Sequence, residues 1–103
     1  MAPRNVTDMS FRNELPRLLA ARGKSLRGVA DALGGIDHAY LSRMVHGKAS
    51  VNPHHAERIA IHLGLPSDYF PEVREAAVIA AVRTNSKLRD SVYFAHVGRS
   101  SVT

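Results

Sequence analysis

The chain has 103 residues, 45% of them hydrophobic, with no cysteine and a formal charge of +5. That is one ordinary domain with enough apolar content for a core, and it excludes a disulfide scaffold, a thiolate metal site and a cysteine nucleophile together. No apolar run approaches the roughly 18 residues of a membrane span, and the opening MAPRNVTDMSF lacks the apolar stretch of a secretory leader, so a cytoplasmic protein without membrane partners is expected.

The charge is uneven. Residues 1–48 carry eight basic and four acidic side chains, residues 49–72 one against three, and residues 73–103 five against two. A basic first half points to a polyanionic partner, although a solvated surface of ordinary scatter gives the same total.

In chain order, residues 1–9 are polar and uncapped and read as an arm. From Phe11 the apolar positions Phe11, Leu15, Leu18 and Leu19 follow helical spacing, with Ser10 or Asn13 as N-cap. Pro16 has no backbone N–H and suits only a first turn, so the regular helix is expected to begin near Asn13 or to kink at Pro16. Gly23 stops it. Ser25 caps a second stripe, Leu26, Val29, Ala30 and Leu33, which Gly34-Gly35 breaks. Asp37 caps a third helix, and Ile36 can pack on Leu41 as a hydrophobic staple. That helix turns Leu41, Met44 and Val45 inward, leaves His38, Ala39, Ser42, Arg43 and His46 outward, and ends at Gly47.

After a polar loop, Asn52-Pro53 reads as N-cap and first helical residue, and Ala56, Ile59, Ala60 and Leu63 form the next apolar face. Ser67 is read as another cap, with Tyr69 and Phe70 as core anchors. Residues 72–82 form a helix apolar around much of its circumference. Asn85-Ser86 interrupts it, a short helix carries Leu88, Val92, Tyr93 and Phe94, and residues 98–103 form a polar tail. The fold class is therefore all-α.

Residues 25–47 place two short helices around a glycine-bearing turn, the plan of a helix-turn-helix. The segments SLRGVADALG, GIDHAYLSRMVHGK and AERIAIHLGLPSDYF, in that order and spacing, resemble the Xre-type, lambda-repressor- and Cro-like helix-turn-helix domains over roughly residues 11–72. The resemblance implies a compact bundle of about five helices whose motif helix enters the DNA major groove. Its domain would span residues 10–71, followed by a C-terminal helical extension over residues 72–97.

By position in that resemblance, His38, Ala39, Ser42 and Arg43 are the base-reading set, Arg43 being suited to a bidentate pair with guanine. Ser25, Arg27, Tyr40, His46, Lys48, Ser50 and Asn52 fall where the family contacts the backbone, which fixes register rather than sequence. Three departures stand out. The turn carries an extra glycine at Gly34-Gly35, Gly28 replaces the glutamate usual in the capping box, and Leu19 and Val45 occupy the positions of a buried Arg–Glu pair. Exchanging both members of such a pair for apolar groups is often tolerated.

Six histidines raise the question of a metal, but His54, His55 and His62 lack zinc-site spacing and no metal or other cofactor is expected. No nucleophile or base stands in a motif with a partner, so an enzyme is not expected. The helix over residues 72–82 is too apolar for one small domain to cover. Pairing with a twin through Val73, Ala76, Ala77, Ala80, Tyr93 and Phe94 is expected, the alternative being that the last helix folds back over it. The resulting reading is a nucleoid-associated, homodimeric bacterial or phage repressor on double-stranded DNA. An antitoxin that grips a toxin through its C-terminal segment, a protein-interaction module, an activator and an architectural protein remain compatible.

Overall fold

A computed structural model describes residues 10–98; the expected arm (residues 1–9) and residues 99–103 of the expected tail lie outside them. The chain builds α1 (Phe11–Ala21), α2 (Leu26–Leu33), α3 (His38–Val45), α4 (Pro53–His62), α5 (Pro71–Thr84) and α6 (Ser86–Val92), followed by a π-helical turn (Tyr93–Val97), with no strand among the described residues. Ser10, Ser25, Asn52 and Asn85 each cap a helix through a side-chain oxygen that accepts a backbone N–H. Each bond satisfies a donor that the first turn would otherwise leave open.

Three local expectations need correction. The first helix begins at Phe11, and Pro16 lies inside it. Pro16 and Arg12, whose carbonyl loses its partner, are both exposed, so water can replace the missing bond, while fully buried Phe11 and Leu15 anchor the turn. Ser67 caps no helix. It lies in a turn closed by the Tyr69 N–H on the Pro66 carbonyl, and α5 starts at Pro71, whose fixed φ suits a first helical residue. Asp37 occupies the N-cap position of α3 but its side chain makes no capping bond.

The buried apolar residues run from Phe11 to Phe70 and form one cluster. Helix α1 contributes Phe11, Leu15 and Leu19; α2, Val29 and Ala30; α3, Leu41, Met44 and Val45; α4, Ala56, Ile59 and Ala60. Leu19 and Val45 are both buried there, as apolar replacements for an ion pair must be. The N- and C-terminal ends of this core are tied together. The Phe11 and Phe70 rings meet edge to face at 5.0 Å, and the Phe11 N–H donates to both Glu72 carboxylate oxygens at 3.0 and 3.2 Å. Glu14 is buried, a placement that periodicity did not reveal. Its carboxylate accepts from the Tyr69 hydroxyl at 2.9 Å and pairs with Arg17 at 3.1 Å.

The two-glycine turn is accommodated by backbone geometry. Gly34 and Gly35 have φ of +66° and +70°, a region that L side chains rarely adopt. Arg58 of α4 holds the turn by donating to the carbonyls of Leu33 and Gly34 at 2.9 and 3.3 Å. A Cβ at Gly34 would meet no atom within 4 Å, so substitution there isolates backbone strain. Gly34→Ala should lower stability by about 1–3 kcal/mol in urea unfolding. An unchanged midpoint would mean that the turn does not require this conformation.

Candidate nucleic-acid interface

Helix α3 has eight residues, too few to be stable alone, and is rigid because Leu41, Met44 and Val45 are buried. With that face committed to the core, the opposite one is left to solvent. Ala39, Arg43 and His46 are exposed, and His38 and Ser42 are half-buried beside them. The five side chains expected to face outward thus share one accessible surface.

Two of them are held by local contacts. Nδ1 of His46 lies 2.8 Å from the Ser42 carbonyl and 3.3 Å from its hydroxyl. Since a carbonyl can only accept, Nδ1 carries the proton, and Nε2 is left for an outside ligand. The Arg43 guanidinium lies 5.7 Å from the centre of the Tyr40 ring, within cation–π range. Tyr40 in turn meets His55 of α4 edge to face at 5.8 Å. Half-buried Tyr40 therefore supports the neighbouring arginine as well as flanking the surface.

The expected backbone-contacting residues lie on several elements around α3 in sequence. Ser25 and Arg27 stand exposed at the start of α2, where the Ser25 hydroxyl accepts the Gly28 N–H at 3.0 Å. Gly28 has no side chain to return a bond, so the capping box is half formed. Lys48 and Ser50 are exposed in the loop after α3, and Asn52 caps α4 by accepting from the His54 and His55 N–H groups at 2.9 and 3.3 Å. The loop is folded back onto α3: the Lys48 and Ala49 amides donate to the Arg43 carbonyl, and the Asn52 N–H approaches the Met44 sulfur at 3.4 Å. The starts of α2 and α4, where helix dipoles favour anions, bring partial positive charge to this arrangement. Lys48 and Ser50 border a common cleft, whereas Ser25 lines a separate one with Lys24 and His62.

Arg58 and His55 were missed by sequence reasoning because their roles depend on elements distant in sequence. Arg58 pins the carbonyl end of α2, and His55 backs Tyr40. His55 is held below the ordinary histidine pKa, first by burial and then by repulsion from His54 and Arg58. Its Nδ1 is buried without a hydrogen-bond partner among the described residues. A folded-state pKa below the unfolded value makes this group's contribution complete above the unfolded pKa of 6.5 and progressively lost as pH falls through the folded value. Denaturant midpoints should therefore drop on acidification from about pH 7.5 to about pH 5, and less steeply in His55→Phe, which keeps a ring against Tyr40. Equal drops in both proteins would remove the assignment.

A family model for helix-turn-helix domains matches residues 17–70, which takes in α2, the turn, α3 and α4. No curated protein and no solved structure matches the chain. The matched region covers just over half of the sequence and, apart from the first turns of α1 with Phe11 and Leu15, takes in the helices that build the buried core. The chain therefore belongs to the Xre-type, lambda-repressor-like helix-turn-helix family of DNA-binding regulators.

Proposed function

We propose that the protein is a homodimeric, sequence-specific transcriptional repressor that acts by occupying a pseudo-palindromic operator. The observation that carries this is the free face of α3, with Arg43 exposed and supported by Tyr40 beside exposed Ala39. In this reading the α3 helices of two protomers enter successive major grooves about one helical turn apart. His38, Ala39, Ser42 and Arg43 read base edges. Ser25, Arg27, Tyr40, His46, Lys48, Ser50 and Asn52 hold the sugar-phosphate backbone. Residues 10–71 form the DNA-binding domain, residues 72–97 the dimerisation segment, and the protein acts on the nucleoid in the cytoplasm.

Support for the dimer comes from the extension. Helices α5 and α6 and the π-helical turn contain no buried residue. Helix α6 contacts α5, yet Val78, Tyr93 and Phe94 remain 59%, 46% and 63% exposed. Val73 and Ala76 are half-buried, and Ala77 and Ala80 exposed, so the expected interface retains apolar surface for a second protomer. The same apolar segment supports the antitoxin reading, in which a toxin covers it instead.

Selection of bound duplexes from a random library tests the main reading through its consensus and half-site spacing. Arg43→Ala should lose about 1–3 kcal/mol of discrimination at one base pair, while Lys48→Ala should weaken all duplexes alike and lower the salt slope by about one. An Arg43→Ala protein that binds the selected site like the parent would refute the contact assignment. Sedimentation should give a dimer for the parent and a monomer for Phe94→Asp, with half-site binding only; a monomeric parent would refute the dimer.

A further inference from the structure

Beside α3 lies a cleft of about 520 Å³ that none of the preceding assignments explains as a whole. Ser10 and Arg12 at the start of α1, Gly47, Lys48 and Ser50 after α3, and Glu72 at the start of α5 all border it. Arg12 is central. Its guanidinium packs directly over Gly47, where a Cβ would fall 2.6 Å from one terminal nitrogen and 3.1 Å from Cζ. A Cβ there would require the guanidinium to shift, and the φ of +75° at Gly47 itself favours glycine.

The guanidinium is not spent on capping α3. Three of the last four carbonyls of that helix are already served by amides of the following residues: Ser42 by His46, Arg43 by Lys48 and Ala49, and Met44 by Gly47. Among the described residues neither the Arg12 nor the Lys48 side chain has a hydrogen-bond or ion-pair partner. Among the described residues Glu72 supplies the only carboxylate bordering the cleft, and both of its oxygens accept the Phe11 N–H. Among the described residues the cleft thus holds two cations, Arg12 and Lys48, against one anion, with the Ser10 and Ser50 hydroxyls also on its border.

We infer that this cleft seats a DNA backbone phosphate, with Arg12 as a contact made together with Lys48. The inference rests on the proposed DNA-binding reading and extends its footprint from the loop after α3 to the start of α1. A guanidinium already packed against the protein loses less freedom on binding than a free one, and its planar fork suits phosphate oxygens. Such a contact adds affinity without sequence information.

The test is a salt titration of binding to the selected duplex and to a random duplex, followed by fluorescence anisotropy with the full chain. Arg12→Gln should lower the slope of log affinity against log salt by about 0.9 and weaken both duplexes by one common factor, and Arg12→Lys should restore the slope. Glu72→Gln, which keeps an acceptor for the Phe11 N–H while removing the charge, should tighten both. A parental slope in folded Arg12→Gln, or a loss confined to the selected duplex, overturns the inference while leaving the DNA-binding reading intact. A parent that binds neither duplex at low salt overturns both, and if Arg12→Gln does not fold, unchanged binding by Glu72→Gln overturns the inference alone.

Discussion

Burial of Leu41, Met44 and Val45 is what allows an eight-residue helix to serve as a rigid probe. A helix of that length has too few internal hydrogen bonds to offset the cost of nucleating it, so its shape is borrowed from its neighbours. Helix α1 packs on one side of α3 and α2 on another, while α4 contacts α2 and the Arg58 side chain fixes the turn between α2 and α3. The consequence is directional. Once one face is held in the core, the other has no choice but to project its histidines, serine and arginine outward.

The rest of the molecule divides according to that core. Among the described residues every buried apolar side chain falls between Phe11 and Phe70, and the two phenylalanine rings at the ends meet each other. Beyond Phe70 the chain continues as helix but stops contributing to the interior. Apolar side chains exposed in this number contribute little to the fold of one chain, and a surface of this kind is characteristic of an interaction site. The extension is thus tied to the core through Glu72 and partly packed Val73 while its remaining apolar surface faces away.

Polar contacts of long sequence separation refine this architecture. Glu14 with Tyr69, Phe11 with Glu72, and Arg58 with the carbonyls of Leu33 and Gly34 each join elements that hydrophobic packing alone would leave free to slide. On the exposed side, Tyr40 links Arg43 to His55, so one face of the probe is braced by α4. The same aromatic contact places a histidine in surroundings that disfavour its charged form.

Much of this was legible in the residues. Helical spacing at Leu41, Met44 and Val45 identified the inward face of α3 and, by subtraction, the outward one; the Ser25 and Asn52 caps located the starts of α2 and α4. These signals are local, because caps and periodicity act within one or two turns. The start of α1 was misplaced near Asn13 because a first-turn rule for Pro16 takes no account of the burial of Phe11 and Leu15, and Ser67 was misread because a capping residue is effective only where a helix begins. The burial of Glu14, the roles of Arg58 and His55, and the packing of Arg12 over Gly47 were decided by tertiary structure alone. Each depends on a partner 24 to 55 positions away or, for His55, on another helix, and no spacing rule within a single segment carries the three-dimensional meeting of two.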